Sequence, residues 1–193
     1  MPRGRPKKSE EPEEKSAEET SVDDSSDSRK NARIKYGDMM TVKVKCKFTM
    51  PFMGGQPTGH DDPSQELYKD LDGDYIIPGR CFRAMFREAA KYINRSGTET
   101  GQITTFPAKI GMNGSKVERV SNIPVLSRTG GKGFISAEVI TAGAEFEATF
   151  DVPTKAITKG DFEMLIKACA RMGTGAYRKG DFGRFDVLDI QWT

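Results

Sequence analysis

Gly173-Thr174-Gly175-Ala176-Tyr177-Arg178-Lys179-Gly180-Asp181-Phe182-Gly183-Arg184-Phe185 lies between two segments of different periodicity, and the fold class rests on how it is read. Upstream, Phe162, Leu165, Ile166, Cys169 and Met172 recur at the spacing of one helical face, behind Thr158-x-x-Asp161, a start signal of the capping-box type. Gly173 is placed to end that helix. Downstream, Arg184 to Trp192 reads as a strand. Leu188, Ile190 and Trp192 share one face and Phe185 and Val187 the other, as in a strand covered on both sides or bulged. The quoted segment is therefore a helix-to-strand connection, with four glycines, three basic residues and three aromatics in thirteen positions. Two readings are open. Glycines let backbone N–H groups converge on an anion, with Arg178, Lys179 and Arg184 supplying charge and Tyr177 or Phe182 stacking on a base. Alternatively the segment is a turn whose aromatics belong to the core.

Upstream of this helix, Phe146, Ala148, Phe150 and Val152 alternate with Glu145, Glu147, Thr149 and Asp151 as a half-buried strand. From Met39, Val42, Val44, Cys46, Phe48 and Met50 alternate with Lys43, Lys45, Lys47 and Thr49 as another. Its lysine row is either a phosphate track or a guard against edge pairing. Pro78-Gly79 opens a helix whose buried face is Phe82, Met85, Phe86, Ala89 and Ile93, with Arg80, Arg83, Arg87 and Lys91 as a second stripe. That stripe suits phosphate as well as a solvated face. Pro51 to Asp74 reads as a long irregular loop, and holds the only histidine, His60, beside Asp61 and Asp62. Ser96 to Lys132 reads as an insertion or hairpin with strand-like pieces at Lys116–Val120 and Ile123–Leu126, and Phe134–Thr141 as a further short strand. The order predicts an α+β, ferredoxin-like (RRM-like) β-α-β-β-α-β sheet with helices on one face.

The first 28 residues contain only Met1, Ala17 and Val22 as apolar side chains, against five basic and nine acidic ones. Too little apolar surface is present to offset ordering entropy, so residues 1–35 are expected to be a disordered charged tail and 36–193 the folded domain. From Arg29 onward 25 basic and 19 acidic side chains remain, a formal charge of +6 that the whole-chain value of +2 conceals. A basic body fits a polyanionic partner. Arg3-Gly4-Arg5-Pro6 resembles an AT-hook, an extended element laid into the narrow minor groove of AT-rich DNA; a solvated basic patch is the other reading. This segment carries the alternative function, a DNA-binding architectural or viral structural protein. Cys46, Cys81 and Cys169 are widely spaced without a CxxC pair, which argues against a disulfide framework or a metal site. No apolar run suits a membrane span or signal peptide, so a cytoplasmic location is expected. Gly130-Gly131-Lys132-Gly133 lacks the Gly-Lys-Ser/Thr ending of a nucleotide-triphosphate loop.

Three segments carry a family resemblance. The glycine-rich loop ending in Gly183-Arg184-Phe185, the run Tyr75-Ile76-Ile77-Pro78-Gly79-Arg80 leading into a helix, and Gly54-Gly55 after the first strand occur in the order found in the RAMP superfamily. These are the ferredoxin-like proteins of CRISPR effector complexes, and the chain resembles a viral or otherwise divergent member over most of Met39 to Trp192. Ala84 stands where such helices often carry glycine, and the charged tail is not a family feature.

The resemblance implies that Arg80, Arg83 and Arg87, together with Gly173, Gly175, Gly180 and the rest of the loop, approach the backbone of a guide RNA. Such recognition is largely sequence-independent. It implies as partners RNA, copies of the chain itself and other subunits of a ribonucleoprotein complex, with AT-rich DNA reached through the tail. No cofactor is needed for binding. Some relatives cut RNA, and here His60, or Asp61 and Asp62 with Mg2+, are the candidates for such a step.

Overall fold

The computed structural model describes residues 39–57, 64–126 and 132–193. The tail with Arg3, Gly4, Arg5 and Pro6, and the loop positions His60, Asp61 and Asp62, lie outside the described residues. In chain order the elements are β1 (Met39–Phe48), β2 (Phe52–Met53), β3 (Gln56–Pro57), β4 (Gln65–Glu66), β5 (Ile76–Ile77), α1 (Gly79–Ala89), α2 (Gly97–Thr100), β6 (Thr104–Thr105), β7 (Ala108–Gly111), β8 (Val117–Leu126), β9 (Lys132–Ile140), β10 (Glu145–Pro153), α3 (Lys159–Met172) and β11 (Phe185–Trp192). The protein is α+β, with mostly antiparallel sheets. Among the described residues no helix is long and apolar enough to cross a membrane.

The main sheet runs β11-β1-β10-β7-β5, with β6 pairing the far end of β10. The alternation read in β1 holds from Val42 to Phe48, with Val42, Val44, Cys46 and Phe48 buried and the three lysines between them exposed; Met50, read as part of it, lies past the end of the strand and is exposed. In β11 the register shifts opposite Lys45 and Cys46, which pair with Asp189 and Val187, so Leu188 is the extra residue of a bulge. The bulge reconciles the mixed pattern of that strand. Phe185, Val187, Ile190 and Trp192 all lie opposite buried residues of β1, while Asp186, Asp189 and Gln191 lie opposite its lysines.

Both long helices cover the buried face. Phe82 and Phe86 of α1 and Phe162 of α3 close on Phe146 and Phe150 of β10, with ring centroids between 5.0 and 6.1 Å apart, and Phe82 and Phe86 meet Phe150 edge-on. Pro78 caps α1 in an extended conformation, and Gly79 follows because β6 lies against it. A Cβ built on Gly79 would stand 2.6 Å from the Thr105 carbonyl oxygen, and the Thr105 hydroxyl donates to the Gly79 carbonyl at 2.9 Å. The α3 capping box forms as read: the Thr158 hydroxyl accepts from the Asp161 amide at 3.1 Å, and the Asp161 carboxylate accepts from the Thr158 amide at 3.3 Å. Arg95 adds an ion pair to that carboxylate at 2.6 Å.

Two expectations are corrected. The segment read as one irregular loop contains β2, β3 and β4, which join a second sheet of order β2-β9-β4-β3 with β8 on β9. The two strand-like pieces read within Ser96 to Lys132 form one irregular strand, β8, which pairs with β9 and anchors this sheet instead of extending the first. The strand beside β10 is β7, with β6, neither of which the sequence reading identified; strands of two and four residues are too short to show a period. Met53, Ile123, Ile135, Ala137 and Val139 form a small core under the second sheet, against which Ala176, Tyr177 and Phe182 pack.

Candidate nucleic-acid interface

The glycine-rich loop leaves α3 at Gly173, which takes φ 84°, and is stitched to the corner between β1 and β2. The Ala176 amide donates to the Met53 carbonyl at 2.8 Å, and the Gly183 amide to the Pro51 carbonyl at 2.7 Å. The Thr174 amide reaches across the loop to the Gly183 carbonyl at 2.9 Å, and the Arg184 carbonyl accepts from the Thr49 amide at 3.0 Å. Arg178, Lys179 and Gly180 form a single 3-10 turn, closed by the Gly180 amide on the Tyr177 carbonyl at 2.9 Å.

These amides are committed within the chain, so the glycines act mainly by allowing close approach. At Gly175, φ is 86° and a Cβ would collide with the Met53 carbonyl and the Phe52 ring; at Gly180 it would strike the Tyr177 ring. Tyr177 is itself left-handed, at φ 53°, and its ring lies 6.1 Å from that of Phe182 against the small core. Both aromatics are half-buried, which matches the second of the two readings of this loop.

The three segments that carry the resemblance meet. Tyr68 links them: its hydroxyl donates to the Gly55 carbonyl at 2.8 Å, and the Arg80 guanidinium stands 4.6 Å over its ring. Gly55 in turn abuts Ala176, where a Cβ on the glycine would come within 2.6 Å of the alanine methyl. From the loop, Arg178 reaches α1 and pairs with Glu88 at 2.9 Å. Arg80 and Arg178 both lie near Cys81; burial raises its thiol pKa, and the two cations oppose that rise. Burial likewise pushes Cys46 up to about 12, so these cysteines pack as neutral groups. Gln65 Oε1, Thr174 Oγ1 and Arg178 Nη1 are buried without a hydrogen-bond partner among the described residues, and all three belong to segments at this junction.

Charge on the outer surface is uneven. Arg83, Arg87 and Lys91 are exposed on α1 and the turn that follows it and have no ion-pair partner among the described residues, whereas Arg184 is paired to Asp181. The lysines of β1 lie between acidic strands. Lys45 sits opposite Glu147 and Asp189, and Lys47 opposite Glu145 and Asp186; Lys43 faces Thr149 and Gln191. Lys45 also pairs with Glu145 at 3.3 Å.

Sequence reasoning missed Tyr68 and Glu88, which carry no motif. It also missed a cage in which Asp70, Asp72 and Asp74 close on the Lys109 ammonium at 3.0, 3.6 and 2.8 Å. The Lys109 hydrogen bond holds the Asp70 carboxyl below its usual range. The cage fixes the turn that feeds β5 and the start of α1.

No known family profile matches the chain, and no curated protein matches it in sequence. Solved structures do match in fold. The cryo-EM structure of the Type III-B Cmr-beta bound to cognate target RNA contains a chain that superposes with a TM-score of 0.54 at 10% identity. The match covers 81% of this protein and 61% of that chain. The crystal structure of Cmr6 from Pyrococcus furiosus superposes with a TM-score of 0.52 at 11% identity, over 80% of this protein and 100% of that chain. At such identities the likeness is one of fold, and this protein's fold is similar to that of those two chains.

Proposed function

We propose that this chain is a RAMP-type subunit of a CRISPR-like ribonucleoprotein complex and that it holds the backbone of a guide RNA along the exposed face of α1 and the adjoining loop. The observation that carries the reading is the convergence of Gly54-Gly55, the Pro78-Gly79-Arg80 helix start and the Gly173–Phe185 loop around Tyr68. The three segments are separate in sequence and are brought together where β1 ends beside the start of β11. The likeness to Cmr-beta and Cmr6 supports the same assignment. So does the sheet order β11-β1-β10-β7, interleaved with α1 and α3, which fits a ferredoxin-like unit.

In this reading the work falls to side chains. With its amides engaged internally, the loop acts as a rigid support that sets the position of Arg178 and Arg184, and α1 presents Arg80, Arg83 and Arg87 along one side. A guanidinium row of this kind meets successive phosphates with two-pronged hydrogen bonds and does not read bases. Other subunits and further copies of the chain are the expected neighbours along the RNA.

The test is fluorescence anisotropy of labelled single-stranded RNA with wild type and Arg83→Glu/Arg87→Glu. Both positions are exposed, so the fold should survive, as a thermal melt would verify. The variant is expected to bind at least about tenfold more weakly and to show a shallower salt dependence, by about 0.7 for each phosphate no longer neutralised. Unchanged affinity and slope would sink the reading.

A further inference from the structure

We infer that the groove between the C-terminal half of α3 and the start of β11 is a second phosphate-binding groove for the same RNA strand; this rests on the RNA-binding reading above. Lys167 and Arg171 of α3 line it on one side, Arg184 and Asp186 at the start of β11 on the other, and Thr49 also borders it. Arg184 belongs both to this groove and to the glycine-rich loop, so the two surfaces are continuous.

Lys167 and Arg171 are one helical turn apart on the exposed side of α3, and neither has an ion-pair partner among the described residues. Like charges at that spacing repel, and a polyanion seated in the groove relieves the repulsion. Arg95, Lys109 and Arg178 are by contrast matched by Asp161, by three aspartates and by Glu88, and Arg184 of the groove itself is paired to Asp181, so Lys167 and Arg171 resemble the unpaired Arg83, Arg87 and Lys91 of the α1 surface.

The floor specifies what kind of ligand is held. Phe185 is buried, Val187 half-buried, and Leu188 is exposed at the β11 bulge. Among the described residues that line it, the one aromatic, Phe185, is buried, so no ring is offered for a base to stack on, and the groove takes the sugar-phosphate backbone and adds affinity without sequence preference. The Thr49 amide bound to the Arg184 carbonyl ties the end of β1 to the start of β11, which fixes the β11 side of the groove.

The experiment uses the full chain, a short single-stranded RNA and a longer one, and an acidic peptide, poly-glutamate, as a competing polyanion. Lys167→Glu/Arg171→Glu is compared with Arg83→Glu/Arg87→Glu, and the neutral Lys167→Gln/Arg171→Gln guards against misfolding caused by the reversed charge. The α3 variants are expected to lose affinity, by about tenfold for the charge reversal on the longer RNA and less on the short one. Their salt slope on the longer RNA should fall by about 1.4, for two phosphates at about 0.7 each. If affinity and slope on the longer RNA are unchanged while the α1 variant loses binding, the groove inference is overturned and the α1 reading stands. If only the α3 variants lose RNA binding, the groove stands and the α1 reading fails. If the α3 variants lose poly-glutamate binding alone, the groove belongs to an acidic protein surface and the inference is wrong.

Discussion

Thr174 is fully buried, and its hydroxyl has no partner among the described residues, while its amide is fixed on Gly183. A buried hydroxyl without a hydrogen bond lowers stability, because water is removed from it and nothing replaces water. The position lies in the same loop as Arg178, whose Nη1 is also unpartnered although its Nη2 is held by Glu88. Unmet polar groups in one loop mean that the loop is held by glycine-permitted close approach and backbone hydrogen bonds more than by its side chains. Thr174→Val keeps the shape and removes the buried hydroxyl, so it should raise stability by about 1 kcal/mol. Urea denaturation followed by tryptophan fluorescence measures this, since Trp192 packs on Phe162 in the main core. A drop in stability instead would mean that the hydroxyl finds a partner in solution.

The start of α3 is held by a full capping box and an ion pair, and its stability is linked to pH through Asp161. Arg95, and then Thr158, hold that carboxyl below its usual range. A depressed folded-state pKa contributes stability that is fully present above the unfolded value and is lost as pH falls through the folded one. Asp161→Asn should therefore lower the urea midpoint near neutrality, with the gap to wild type closing as the pH falls through the acid range; a constant gap would place the effect elsewhere. This helix is also the most legible element in the sequence, because cap, apolar stripe and terminating glycine all agree. The Pro78-Gly79 helix start and the β1 alternation are legible for the same reason. The short strands are not: β2, β3, β4, β6 and β7 are two to four residues long and are defined by the partners they meet. The glycines of the loop are legible only in part. Composition alone cannot separate an anion cradle from a tight junction, and the decision lies in which carbonyls the amides of Thr174, Ala176 and Gly183 reach. Tyr68, at the centre of the junction, has no sequence signal, since its partners Gly55 and Arg80 are brought to it only by the fold.

Across the whole molecule the two faces of the main sheet differ in charge. The covered face bears helices whose outer surfaces carry Arg83, Arg87, Lys91, Lys167 and Arg171, all exposed. On the open face, Lys43, Lys45 and Lys47 of β1 are flanked by Glu145, Glu147 and Asp151 of β10 and by Asp186 and Asp189 of β11, five carboxylates to three ammoniums. Opposite charges on neighbouring strands stabilise the sheet and satisfy one another before any ligand arrives. A phosphate approaching that face meets carboxylates on both sides of the lysine row, whereas one approaching α1 meets arginines that have no ion-pair partners among the described residues. Lys43→Ala/Lys45→Ala/Lys47→Ala should accordingly change RNA affinity by less than about twofold and leave the salt slope nearly intact, where release of three bound phosphates would flatten it by about 2. The measurement is a salt titration of the same labelled RNA against wild type and the triple variant. A slope flattened by that amount would make the open face the phosphate track, and would require RNA to lie across the sheet instead of along the helices.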